Sequence, residues 1–151
     1  MIVYRLCRAA HVTMDGEGAR IYGGRWNSPG RPVVYSSGSL ALASLEYLVH
    51  IDSSEVPSDL VAIFVEIPDE IAVESVDRRS LPVDWSATVG VGVCQEVGDR
   101  WLASGTSAVL RVPSAPIPEE FNFLLNPRHE DSGRVRVVSR RGFVFDPRVL
   151  G

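Results

Sequence analysis

The sequence predicts a single α+β domain built on a mixed or antiparallel sheet. Three observations carry this expectation. The chain has 151 residues, a length that suits one domain and lets roughly two thirds of the unfolded surface be buried. Short β-branched and aromatic runs recur along it, and between some of them the apolar spacing changes from period 2 to period 3.6. No internal repeat or low-complexity tract interrupts the pattern.

Val3 to Leu6 alternates apolar and polar residues as an early strand does, and Asp15-Gly16-Glu17-Gly18 with Gly23-Gly24 punctuates the next stretch as loop. Pro29-Gly30 marks a turn before Val33-Val34-Tyr35, a buried strand by composition, so a hairpin linking Arg25 to Tyr35 is expected. From Ser39, a candidate N-cap, Leu42, Leu45, Leu48 and Val49 gather on one helical face. Val61 to Ile67 is a strand closed by Pro68, and Ala72 to Val76 a shorter one. Gln95 to Ala103 reads as a helix despite Gly98, and Ala108 to Val112 as a strand stopped by Pro113. Pro118-Glu119-Glu120 has the form of a helix start leading into Phe121 to Leu125, with Asn126-Pro127 as its break. Val135 to Val138 supplies a further strand, and Phe143 to Asp146 an edge or docking segment.

Composition removes several function classes. A net charge of −4 argues against direct DNA binding, which needs clustered cations to displace counterions. All 15 cationic residues are arginine, the side chain suited to bidentate phosphate recognition. No stretch is long and apolar enough to span a bilayer, and Met1 to Leu6 enters a strand pattern at once, so a cytoplasmic protein is expected. Cys7 and Cys94 sit in apolar company and are expected to be reduced and buried; neither they nor His11, His50 and His129 have metal-ligand spacing.

The segment Tyr22-Gly23-Gly24-Arg25-Trp26-Asn27-Ser28-Pro29-Gly30 concentrates two glycines, a cation, an aromatic and an amide. Glycines let backbone N–H groups approach a ligand, and arginine grips a phosphate by two parallel hydrogen bonds. The alternative is a tight turn whose arginine pairs with a surface acid. Neither Rossmann nor Walker glycine spacing is present. Glu46 falls at the edge of the apolar face of its helix, beside Val49 and His50, as a solvated boundary residue or as a carboxylate set where a helix meets a cleft. No nucleophile elbow surrounds any serine, which disfavours a serine triad.

Together these stretches closely resemble the RES-domain family, over almost the whole chain from Tyr4-Arg5 to Phe145-Asp146-Pro147. The most specific piece runs from Gly18-Ala19-Arg20 through Gly23 to Gly30, then Val34-Tyr35 and the helix bearing Glu46. A second piece joins Leu110-Arg111-Val112-Pro113-Ser114 to Asn122 and to Leu125-Asn126-Pro127-Arg128-His129. The family is named for an arginine, a glutamate and a serine, which match Arg25, Glu46 and Ser114, with Ser107 as the alternative serine.

The resemblance implies a fold similar to that of ADP-ribosyltransferase toxins, and a toxin of a type II toxin–antitoxin system that consumes NAD as substrate without a metal. It further implies an Xre-type antitoxin as partner in a hetero-oligomer, with DNA reached only through that antitoxin and no membrane involved. Breaking the nicotinamide–ribose bond creates an oxocarbenium-like centre, which calls for an anion grip, an aromatic surface and a carboxylate against the sugar. Arg25, Tyr35 and Glu46 are the residues matched to those tasks. Arg5, Tyr22, Trp26, Ser114 and Asn126 are candidate NAD-binding residues, with core packing as the alternative for each. The ADP-ribose acceptor is left open between water, phosphate and a protein, and a non-catalytic nucleotide- or partner-binding module is the competing class.

Overall fold

In a computed structural model that describes residues 1–151, short β-branched and aromatic runs, largely apolar in the central strands, build the sheet. Strand β1 (Ile2–Arg8) pairs antiparallel with β3 (Leu60–Glu66) along its whole length, from Ile2 opposite Glu66 to Arg8 opposite Leu60. Its other edge meets β2 (Val34–Ser37) at Tyr4 and Ser37. With β4 (Val73–Ser75), β5 (Val109–Pro113), β6 (Phe121–Leu125) and β7 (Arg136–Gly142), the seven strands form one sheet in the order β4-β5-β6-β2-β1-β3-β7. Only β4 and β5 run parallel; every other neighbouring pair is antiparallel. The fold is therefore the expected single α+β domain on a mixed sheet.

Because successive strand residues point to opposite faces, the register sorts the core. Val3, Cys7, Val34, Ile63, Val65, Val109, Phe123 and Leu125 belong to a cluster on one face. The opposite face carries the two longer helices. Helix α2 (Leu40–Leu48) covers Leu6 and Ala62 through Ala43, joined by Phe145 from the C-terminal tail. Helix α3 (Val91–Ser104) covers Leu110, Val112 and Leu124 through Cys94 and Trp101, together with Trp26 and Trp85. Tyr35 and Ser37 of β2 project toward this helical face, between the two clusters.

Several expectations are corrected. Phe121–Leu125 is strand β6 rather than a helix, pairing β2 on one side and β5 on the other. Phe121, Phe123 and Leu125 alternate with Asn122 and Leu124, and this period-2 pattern prevails over the local proline-and-acid signal, which forms the turn of the β5–β6 connection: Ser114 N–H donates to Glu120 O and Glu120 N–H to Ile117 O. The stretch read as loop before Gly23 contains helix α1 (Glu17–Tyr22). Arg25 and Tyr35 are not joined by a hairpin: the segment after α1 makes only an isolated bridge, Gly24 to Asn27, before β2. Helix α2 is capped as expected, Ser39 Oγ accepting from Leu42 N–H at 3.1 Å. Its buried residues are Leu42 and Ala43, whereas Val49 is 53% exposed. The inward face is thus rotated from the expected one, and Glu46, one turn beyond Leu42, faces the sheet rather than lying at the border.

Candidate active site

Glu46 reaches from α2 to the strand face, where its Oε1 accepts from Ser114 Oγ at 2.8 Å and from Asn122 Nδ2 at 2.5 Å. Ser114 is fully buried at the end of β5 and itself accepts from Ile117 N–H at 3.3 Å. Asn122 receives a hydrogen bond from Ser37 Oγ, 2.7 Å from its Oδ1. One carboxylate oxygen is thus held by two donors, one on strand β6 and one just after β5. The other accepts nothing from the chain and is not buried.

Two residues back along β2, Tyr35 stands on the same face, about 7 Å away at the usual rise per strand residue. Its hydroxyl donates to Asn27 Oδ1 at 2.6 Å and accepts from Trp26 N–H at 3.0 Å. Burial pushes the Tyr35 phenol well above its ordinary value, so the proton stays on and both hydrogen bonds persist. Gly24 is required here for space: a Cβ on it would lie 2.6 Å from the Tyr35 hydroxyl oxygen.

Asn27 is fully buried and its Nδ2 donates to Ala19 O at 2.8 Å and Arg31 O at 3.0 Å, tying the turn to α1. Helix α3 clamps the same turn from outside. Gln95 Nε2 donates to Gly24 O and Asn27 O, and Asp99 accepts from Ser28 N–H and Ser28 Oγ. This scaffold holds Arg25, whose Nη1 donates to Trp85 O at 2.9 Å and Ala87 O at 3.2 Å. Nε and Nη2 of Arg25 make no hydrogen bond to the chain and are not buried atoms, which leaves one bidentate edge of the guanidinium available. The buried Cys94 thiol lies beside that guanidinium; burial raises its pKa and Arg25 partly offsets the shift.

The structure therefore joins Arg25, Tyr35, Glu46 and Ser114 on one face and treats the other expected site residues differently. Ser107, the alternative serine, is occupied elsewhere, accepting from Trp101 Nε1 at 2.9 Å and donating to Val109 O. Arg5 bonds the Tyr35 carbonyl through Nη1 at 3.3 Å, and its Nε is buried without a partner. The Trp26 ring is 2% exposed and packs near Trp85, so this residue meets the site through its backbone N–H, not its indole. Tyr22 is 83% exposed at the end of α1. Asn126 caps a turn, its Oδ1 accepting from Arg128 N–H, and lines a small apolar cavity with Met14, Val34 and Leu125, apart from Glu46. Sequence reasoning did not assign Ser37, Asn122, Asn27, Gln95 or Asp99 to the site. Of these, Asn27 lies in the glycine- and arginine-containing segment that the sequence singles out.

Residues 2–146 match the family described as the RES domain. The chain belongs to the RES-domain family. Toxin Res of Photorhabdus laumondii is 39% identical to this RES domain, the alignment covering 99% of the chain and 97% of that protein. The protein called Prs ADP-ribosylating toxin, from Sphingobium sp., is also 39% identical, over 91% of this chain and 86% of its own length. Toxin Res of Yersinia enterocolitica is 36% identical over 99% of both chains. Among solved structures, a chain from the crystal structure of the M. tuberculosis MbcT–MbcA toxin–antitoxin complex superposes with a TM-score of 0.79 at 20% identity, covering 99% of the RES domain and 86% of that chain. At that identity the likeness establishes the fold.

The tyrosine lock gives a stability prediction. Tyr35→Phe strands the buried Asn27 Oδ1 and the Trp26 N–H together, and is expected to cost about 1–3 kcal/mol. Urea denaturation of the two proteins measures it; a midpoint unchanged from wild type would show that the hydroxyl does not hold the Arg25 turn.

Proposed function

We propose that this RES domain is the toxin of a toxin–antitoxin pair and that it cleaves the nicotinamide–ribose bond of NAD on the face that carries Glu46, Tyr35 and the Arg25 turn. The observation that carries the reading is the geometry around Glu46. Two donors hold one carboxylate oxygen, and the other oxygen is free to accept from a ribose hydroxyl and to face positive charge developing on the sugar. Arg25, on the other side of Tyr35, offers an unpaired guanidinium edge suited to the pyrophosphate. Tyr35 holds the turn between them and lends its ring to the nicotinamide–ribose end. No metal is invoked.

Phosphate or water is the acceptor in this reading, which makes the enzyme a phosphorylase or glycohydrolase. Transfer of ADP-ribose to a protein is the second reading, favoured by the Sphingobium relative called an ADP-ribosylating toxin. The likeness to a chain of a toxin–antitoxin complex supports a neutralising partner. An Xre-type antitoxin, bound over the Glu46 face in a hetero-oligomer and supplying any DNA contact, is the partner proposed. No helix is long and apolar enough to cross a membrane, and the proposed site of action is the cytoplasm, where NAD is available.

The test is nicotinamide release from NAD by purified chain freed of any partner, with and without inorganic phosphate. Release that accelerates with phosphate identifies a phosphorylase, and release indifferent to it a glycohydrolase. Release only when a cell extract is added, with a labelled protein band, identifies the transferase. No release under any of these conditions removes the enzymatic reading and leaves a nucleotide- or partner-binding module.

A further inference from the structure

We infer that Ser37 and Asn122 are positioning residues that aim Glu46, fixing one carboxylate oxygen as the anchor and leaving the other as the working oxygen. Donor and acceptor chemistry allows one direction for the chain. An ionised carboxylate only accepts, so the side of Asn122 that faces Glu46 must be its NH2. Its Oδ1 then faces Ser37, whose hydroxyl donates at 2.7 Å. The carboxylate therefore sets the amide orientation, and Ser37, by satisfying the buried Oδ1, holds Asn122 in the position from which its NH2 fixes Glu46. Asn122 is 9% exposed and Ser37 4%, so no bulk water replaces either bond cheaply.

The strand register supplies the rigidity. Ser37 is opposite Asn122 in the β2–β6 ladder and opposite Tyr4 in the β1–β2 ladder, so both members sit on the central strands of the sheet. Ser114 provides a second donor to the same oxygen but from the loop after β5, and it does not touch Ser37. Neither Ser37 nor Asn122 is assigned a contact with substrate. They act through Glu46, and which bond Glu46 works on rests on the NAD-cleavage reading.

Steady-state kinetics on NAD with Ser37→Ala, Asn122→Ala and the double variant tests the chain. Asn122→Ala is expected to lower kcat by about tenfold or more and Ser37→Ala by about fivefold, with KM nearly unchanged. Ser37→Ala should add less than about twofold in the Asn122→Ala background, because its effect passes through Asn122. Ser37→Thr, which keeps the hydroxyl, should recover most of the loss. Independent, multiplicative losses, or a KM effect with kcat intact, would overturn the assignment. A second measurement needs no turnover. The Asn122 side-chain amide, followed by nitrogen–proton NMR, should exchange slowly with solvent in the wild type and rapidly in Ser37→Ala. Equal exchange in both overturns the positioning role, whereas a wild type that leaves NAD intact but shows the expected exchange difference overturns only the NAD reading.

Discussion

Glu46→Gln is expected to lower the rate of NAD cleavage by about a hundredfold or more while leaving the fold and its thermal stability unchanged. The substitution is nearly isosteric, and the amide oxygen can still accept from Ser114 and Asn122. With the oxygen held there, the amide NH2 occupies the position of the free carboxylate oxygen. A donor then faces the ribose where an acceptor is needed, and the negative charge that would stabilise an oxocarbenium-like centre is gone. The loss should fall on kcat, since the charge matters most when the bond is breaking. Stopped-time nicotinamide release on matched, folded samples measures it; a loss below about tenfold would show that Glu46 is not the group against the sugar.

The second large effect is on folding. Gly98→Ala is expected to destabilise the domain by about 3 kcal/mol or more, lowering the melting temperature by roughly 6–12 °C. At an exposed mid-helix position the same change stabilises by about 0.5–1 kcal/mol, because alanine is the better helix former. Here the sign reverses. A Cβ on Gly98 would lie 1.6 Å from the Trp26 carbonyl oxygen and 2.7 Å from its carbonyl carbon, both backbone atoms. Helix α3 would have to move off the Arg25 turn, breaking the Gln95 and Asp99 contacts with it. Differential scanning fluorimetry of the variant decides this, and a melting temperature at or above wild type would contradict the close packing.

What the sequence revealed and what it hid follow from the same physics. Arg25 stood out because a glycine pair, an arginine and an aromatic in one short segment are unusual, whereas Tyr35 and Glu46 were picked out by the resemblance to the RES-domain family. Strands β1 and β3 were legible because one opens on alternating residues and the other is a continuous β-branched and aromatic run closed by Pro68. Gly98 read as a weakness in its helix because its reason is a tertiary contact more than seventy residues away in sequence. Strand β6 was hidden by Pro118 and two acids, a local helix signal that a buried place between β2 and β5 overrides. Asn122 and Ser37 were hidden for a related reason. Their value lies in facing each other across two strands 85 residues apart, and no local pattern records a register. On α2, Leu42 and Leu48 pack inward as expected, but Ala43 and Tyr47 join them while Val49 is exposed, and this turn of the helix brings Glu46 inward.

The most direct test of the central claim is induced expression of the chain without its partner, with growth and the cellular NAD pool followed together in wild type and Glu46→Gln. Growth arrest with a falling NAD pool is expected for the wild type, and normal growth with a full pool for the variant at equal protein level. Growth arrest by Glu46→Gln, or arrest by the wild type with an undiminished NAD pool, would contradict it.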